Sequence, residues 1–226
     1  MKRIIYICFC IVCPMCIISA QTKTLEYDVQ YLIRCYNMER DSGTFATKRA
    51  YFDAFPTTFV DFKNTFGYED TQSGETYGEL YEKSLDYISE FFYLNKGINL
   101  SDFTNKVIHM CIGGEWQADG VNYLQTNIIN IITSSNNTQD CYYNHFDVFQ
   151  CYNDTVREAL LSCLTSFSDD DVLSFWKFYL DGVEVVPIND NLYKRTMASV
   201  EQYPSLISPL EHAYTIVSQK RINQEK

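Results

Sequence analysis

Residues 25–36, LEYDVQYLIRCY, carry the pattern that decides the fold class. Their large apolar side chains recur at spacings of three and four, which places them on one face of an α-helix. These side chains are Leu25, Val29, Leu32, Ile33 and Tyr36. Their burial is worth on the order of 10 kcal/mol before conformational entropy is subtracted. A lone helix has nothing to bury this face against, so the pattern predicts a helix docked on a larger body.

The same helical spacing of apolar residues returns along most of the chain. It predicts an all-α fold, a single domain of about nine or ten short-to-medium helices over residues 21–226. Stacked helical hairpins are one arrangement that fits this pattern. The longest clear helix is predicted to begin near Tyr77 and to end before Gly97. The predicted N-caps are Ser101, Asp119, Ser168 and either Asn153 or Asp154.

Prolines and glycines predict where the helices are interrupted. Pro56 divides the aromatic segment 45–66 into two short helices, and Gly67 is expected to end the second in the left-handed conformation. Residues 68–76 lack periodicity and predict a surface loop. The β-branched run 183–188 contains a proline and predicts an extended connector. The last two helices are expected at about 191–200 and 205–221.

Residues 1–20 have the organisation of a cleaved secretion signal. Lys2 and Arg3 precede an apolar run, residues 4–18, that is shorter than the roughly 20 residues of a membrane-spanning helix. Cleavage is expected after Ala20, although Ile18 stands where signal peptidases prefer a small residue. We therefore predict an exported protein, periplasmic or extracellular, with no membrane span once the signal is removed.

The chain is acidic, with 29 Asp and Glu residues against 18 Lys and Arg residues and a net charge of −11. Removal of the signal makes this charge more negative by two, because Lys2 and Arg3 leave with it. Phosphate backbones and anionic lipid surfaces repel such a chain, so neither nucleic acid nor a membrane surface is expected as a partner. The first explanation of the acidity is solubility alone, and basic partners are favoured slightly.

Five cysteines remain after cleavage, and an oxidising compartment permits disulfides among them. The first candidates for a bridge are the three that lie closest in sequence: Cys141, Cys151 and Cys163. An alternative use of Cys141 is a thiolate paired with His145 four residues later. The mature chain has no Cys-x-x-Cys motif, so thioredoxin-like chemistry and zinc ribbons have no support.

Motifs of known catalytic chemistry are missing. The three histidines do not form a His-Glu-x-x-His pair, and no nucleophile elbow, phosphate-binding loop or dinucleotide fingerprint occurs. No cofactor and no metal are therefore predicted. The best single candidate for a catalytic residue is Glu115, because a glutamate between Gly114 and Trp116 in a turn suits a general acid. The alternative is a turn that only packs Trp116 into the core.

Three stretches together resemble a family of small exported helical proteins of gut anaerobic bacteria. They are residues 113–119, GGEWQAD, leading into VNYLQ at 121–125; residues 175–182, FWKFYLDG; and residues 55–59, FPTTF. The resemblance implies an exported all-helical domain and brings no activity or catalytic residue. Residues 154–156, DTV, are similar to the short O-glycosylation consensus that such bacteria use on exported proteins. The likeness implies Thr155 as a modification site.

Export, the 15% aromatic content and the missing catalytic motifs favour a non-enzymatic binding or interaction protein. Its partner is expected to be a protein or a glycan, since exposed tyrosines provide an apolar ring with a polar tip. Two alternatives stay open. One is a carboxylate-dependent hydrolase of glycan or cell wall, with two acidic groups flanking a cleft. The other is an immunity-type inhibitor of a basic toxin.

Overall fold

The computed structural model describes residues 27–71, 74–133, 152–182 and 186–224. These residues form ten α-helices and one two-stranded sheet, which confirms the predicted all-α single domain. The first helices are α1 (Val29–Ser42), α2 (Phe45–Ala54), α3 (Phe59–Phe66), α4 (Ser84–Tyr93) and α5 (Leu100–Cys111). The others are α6 (Gly120–Thr133), α7 (Asp154–Leu164), α8 (Asp169–Leu180), α9 (Val186–Val200) and α10 (Pro204–Gln224). The strands are β1 (Tyr68–Thr71) and β2 (Gly74–Tyr77).

Stacked aromatic rings form the centre of the core. Phe55 ends α2 in an extended conformation, as Pro56 requires, and its ring lies 4.1 Å from the Phe91 ring and 5.5 Å from the Phe66 ring. The Phe103 ring lies 5.6 Å from Phe91 on the other side. These contacts join α2, α3, α4 and α5, so the aromatic segment around Pro56 organises the first half of the domain.

Two helix C-termini in the interior receive their hydrogen bonds from long side chains of other helices. Lys106 of α5 donates from Nζ to the carbonyl oxygens of Phe52 and Phe55, the latter at 2.7 Å. The Phe52 carbonyl needs this donor, because the residue four positions later is Pro56, which has no N–H. Gln125 of α6 similarly donates to the carbonyls that end α8, including Phe178 at 2.8 Å.

Helix pairing is only partly between sequence neighbours. The helices α1 and α2 form a helical hairpin, whereas α8 packs extensively on α10, α5 on α7, and α4 on α6. Within the described ranges, no helix has both the length and the apolar character that a membrane crossing requires.

The structure corrects several predicted boundaries. The helix expected from Tyr77 starts only at Ser84, after a 3₁₀ turn, so it is a short helix and α10 is the longest described one. The connector expected at 183–188 is helical from Val186, because Pro187 falls in the first turn of α9, where its missing N–H is tolerated. Residues 68–76, predicted as a loop, contain the hairpin of β1 and β2.

Two capping predictions also differ from the structure, and the cap expected at Asp119 stays a prediction. Asn99, and not Ser101, caps α5, because its side chain accepts the N–H groups of both Ser101 and Asp102. Gly67 ends α3 in extended backbone with φ −97°, since the chain turns directly into β1. Asp119 precedes α6 with a positive φ of 56°. Asn153 and Ser168 cap α7 and α8 as predicted.

Candidate binding surface

Glu115 is exposed in the segment between α5 and α6. Its neighbour Trp116 packs on the α8 terminus, where a Cβ added to Gly182 would lie 1.8 Å from the indole Cγ. The indole Nε1 is buried and has no hydrogen-bond partner among the described residues. The packed turn therefore explains this segment, and the exposed carboxylate of Glu115 gives the hydrolase hypothesis no support.

The other predicted site residues are not brought together. Cys163 is half-buried on α7, while Cys141, Cys151 and His145 lie outside the described residues, so the disulfide within this group stays a prediction. Thr155 is exposed in the first turn of α7, and its glycosylation also stays a prediction. Residues 1–20, the predicted signal, are likewise outside the described part. In the portion that is described, no group of three or more His, Cys, Asp or Glu side chains is placed to hold a metal.

A groove of about 340 Å³ runs between α1 and α4. Tyr36 and Tyr93 line it, together with the carboxylates of Asp86 and Glu90. Glu90 is already paired with Arg40, whose Nη1 lies 3.3 Å from a Glu90 oxygen. Glu115 is not among the residues that line this groove.

A second and more unusual feature is the hairpin of β1 and β2, which extends from the end of α3. Gly78 holds its base, because its N–H donates to the Gly67 carbonyl at 2.9 Å. Gly78 also lies so close to α3 that an added Cβ would be 2.5 Å from the Thr65 carbonyl group. Only glycine allows this approach, so the base of the hairpin is fixed on the helical body.

The strands pair with Tyr68 opposite Tyr77 and Asp70 opposite Glu75. Residues two apart on a strand share a face, so these four side chains lie on one side of the hairpin. We name this side the tyrosine face: Tyr68, Asp70, Glu75 and Tyr77. The centres of the two tyrosine rings are 6.2 Å apart, and Tyr77 is 54% exposed. The face thus presents an aromatic pair and two carboxylates to the outside.

Contacts from the helical body order this face. The Tyr81 ring lies 4.6 Å from the Tyr77 ring, and its hydroxyl donates to Asp119. That hydrogen bond raises the pKa of Tyr81 above its ordinary value, because the Asp119 carboxylate accepts from the protonated phenol. Gln117 accepts the backbone N–H of Tyr68 at 3.3 Å. The tyrosines are therefore held by residues of the segment before α6.

The opposite side of the hairpin is tied to α3. Lys63 Nζ lies 3.0 Å from a Glu69 carboxylate oxygen, which bridges the helix and β1. A groove of about 230 Å³ lies here, lined by Lys63, Asn64, Glu69 and Thr76 and by the two tyrosines. The hairpin is consequently an ordered projection with a concave base and an exposed aromatic face.

The hairpin is not predicted from the sequence because its two strand segments carry only weak strand signals. The available signal is two short Tyr- and Thr-containing runs, YEDT and GETY, separated by the two residues Gln72 and Ser73, a loop length typical of hairpins. Neither run has the apolar alternation of a half-buried strand, since β1 and β2 are almost entirely exposed.

Comparison with known proteins adds no relative. No protein-family model, no curated protein and no solved structure matches this chain. Any function therefore has to be argued from the surface itself.

Proposed function

We propose that this chain is an exported, non-enzymatic binding protein that recognises its partner through the tyrosine face. One observation carries the proposal: a hairpin whose residues are almost all exposed is nevertheless held in place, with the Tyr77 ring outward beside the half-buried Tyr68. An isolated two-stranded hairpin is marginally stable in water. The contacts of Gly78, Tyr81 and Gln117 fix it on the domain.

The chemistry of the face suits recognition. Tyrosine rings provide contact area at low cost in side-chain entropy, and their hydroxyls add hydrogen bonds, which is why tyrosine is enriched in binding surfaces. Preorganised rings also lose less freedom on binding. Tyr77 is the residue we expect to contribute most, because it is the more exposed member of the pair and is supported by Tyr81.

The test is a cross-linking pull-down with the secreted protein as bait. Tyr77→Ala removes the exposed ring of the face, and Tyr93→Ala is a matched control, because Tyr93 is 52% exposed on α4. We expect the wild type and Tyr93→Ala to capture the same partner and Tyr77→Ala to lose it. Equal capture by all three proteins would refute the proposal. Mass analysis of the secreted form should find Gln21 at its N-terminus if the export prediction is right.

A further inference from the structure

We infer that the partner is a basic, extended polypeptide segment that adds as a strand to the outer edge of β2. This inference rests on the proposed function and specifies which class of partner the tyrosine face takes. Three features of the hairpin lead to it: an open strand edge, a like-charge pair, and exposed tyrosine rings beside that pair.

The open edge follows from the pairing pattern. In antiparallel strands, hydrogen-bonded and non-bonded residue pairs alternate. The pair Gly67 and Gly78 is hydrogen-bonded, so the backbone N–H and C=O groups of Glu75 and Tyr77 point away from β1. On the β1 edge, Gln117 already accepts the outward N–H of Tyr68. No residue in the described part of the chain adds a third strand beside β2. Such an edge is the template that strand addition uses.

The charge of the hairpin determines which segment fits. Residues 68–79 contain four acidic residues, Glu69, Asp70, Glu75 and Glu79, and no basic one. Asp70 lies directly opposite Glu75, and like charges in this position destabilise a strand pair. The Tyr77 hydroxyl donates a hydrogen bond to Glu75, but among the described residues neither carboxylate has an ion pair with a basic side chain. A cation placed between them would remove this repulsion.

The tyrosine rings favour the same ligand. An ammonium or guanidinium group over an aromatic ring is attracted to its negative face, and Tyr77 lies two residues from Glu75 on the same face of the hairpin. Lysine or arginine side chains at alternate positions of an added strand point to one face, so they would reach the carboxylates and the ring together.

Charge also argues against other occupants of the edge. A second copy of this chain would place two acidic hairpins side by side, and the chain as a whole carries a net charge of −11. Nucleic acid is repelled for the same reason. A basic segment is the occupant that the charges of the hairpin favour.

The experiment uses a fluorescein-labelled peptide with the sequence Lys-Thr-Lys-Thr-Lys-Thr-Lys and fluorescence anisotropy at 50 mM NaCl. The comparison peptides are one with Glu at every Lys position and one with alternate backbone nitrogens methylated, which cannot complete a strand ladder. We expect saturable binding of the basic peptide, none of the acidic peptide, and at least tenfold weaker binding after methylation. Equal binding of the methylated peptide would overturn strand addition.

Two variants with the same net charge separate the hairpin from general attraction to an acidic protein. Asp70→Asn with Glu75→Gln should weaken binding about tenfold, because both carboxylates lie on the sheet face that alternate lysine side chains of the added strand would share. Glu201→Gln with Glu211→Gln, at exposed sites outside the hairpin, should change it less than twofold. Equal losses in the two variants would overturn the inference, and circular dichroism checks that both keep the wild-type fold.

This result is distinguishable from a failure of the proposed function. If the basic peptide does not bind while the pull-down shows a Tyr77-dependent partner, the partner class is wrong and the binding function stands. If the pull-down shows no dependence on Tyr77, the proposed function fails whatever the peptide does.

Discussion

Replacement of Lys106 by methionine tests whether this side chain supplies the hydrogen bonds of the buried carbonyl groups at the end of α2. The Lys106 ammonium donates to the carbonyls of Phe52 and Phe55, and the Phe52 carbonyl lacks its usual helical donor because Pro56 has no N–H. The side chain is nearly fully buried, at 7% exposure. Methionine has a similar length and fills the same space, so the change removes the donors with little change in packing.

The expected loss of stability is about 3 kcal/mol. Each buried carbonyl left without a donor costs about 1–3 kcal/mol, and two lose theirs. Release of the buried ammonium offsets part of this loss. Lys96→Met is the matched control, since Lys96 is an exposed lysine whose Nζ lies 4.5 Å from the Tyr93 ring centre. An exposed cation–π contact is worth about 0.5–1 kcal/mol, so the control should lose no more than that.

The assay is urea denaturation of both variants at pH 7, followed by circular dichroism and tryptophan fluorescence. A loss of stability below about 1 kcal/mol for Lys106→Met, or an equal loss for Lys96→Met, would refute the idea that Lys106 supplies hydrogen bonds that these buried carbonyls otherwise lack. In that case water or a rearranged backbone would have to satisfy the Phe52 carbonyl.

The same lysine gives a pH dependence with a defined sign. Burial lowers the pKa of Lys106 from 10.5 to about 8. Between these values the unfolded chain binds a proton that the folded chain has released, so the stability of the wild type relative to Lys106→Met rises with pH. The gain is at most about 1.4 kcal/mol per pH unit. Denaturation curves at pH 7.5, 8.5 and 9.5 measure it, and a difference that stays flat or falls would contradict the burial of the amine.

Three further changes test other parts of the structure. Gly182→Ala should lower the free energy of unfolding by about 4 kcal/mol or more, because the added Cβ would lie 1.8 Å from Trp116. Gly113→Ala is the control, because Gly113 has a similar φ of 76° and an added Cβ there would have nothing within 4 Å. It should lose only about 1–2 kcal/mol in urea unfolding. Gly78→Ala, whose Cβ would lie 2.5 Å from an α3 backbone carbonyl, should displace the hairpin and abolish Tyr77-dependent capture while the far-ultraviolet spectrum stays helical. Burial raises the pKa of Tyr51, so stability should fall as pH rises above 10, where unfolded tyrosines ionise; tyrosinate absorbance that rises fully before unfolding would contradict this burial.

The helical body was predictable because its stripes of apolar residues have to be buried. Leu32, on the apolar stripe of α1, is completely buried, as its spacing implies. Pro56 and the cap at Ser168 mark boundaries for reasons that are local to the chain. The start of α9 at Val186 differed because a proline is tolerated in the first turn of a helix as well as in an extended connector, so Pro187 alone did not decide between the two.

The hairpin and the buried lysine were not predictable in the same way. The hairpin has no apolar alternation, and Gln117, which accepts the Tyr68 N–H, comes 49 residues later. Lys106 lies three residues after Phe103, on the inward face of α5, and a charge on an apolar stripe is the signal that was available. Its partner carbonyls lie more than fifty residues earlier, so spacing alone does not identify its role.

The buried charge of Lys106 and the like-charge pair of the hairpin differ in whether the fold itself supplies an opposite charge or a hydrogen-bond partner. The charge of Lys106 is compensated inside the fold, because Phe52 and Phe55 supply the oxygens that it needs. The Asp70 and Glu75 pair receives a neutral donor, the Tyr77 hydroxyl on Glu75, but no basic side chain in the described part of the domain forms an ion pair with either carboxylate. Local features that the fold itself does not compensate are expected at functional sites. By this reasoning Lys106 is structural, whereas the uncompensated carboxylates of the hairpin support the proposal of a partner that supplies the cation.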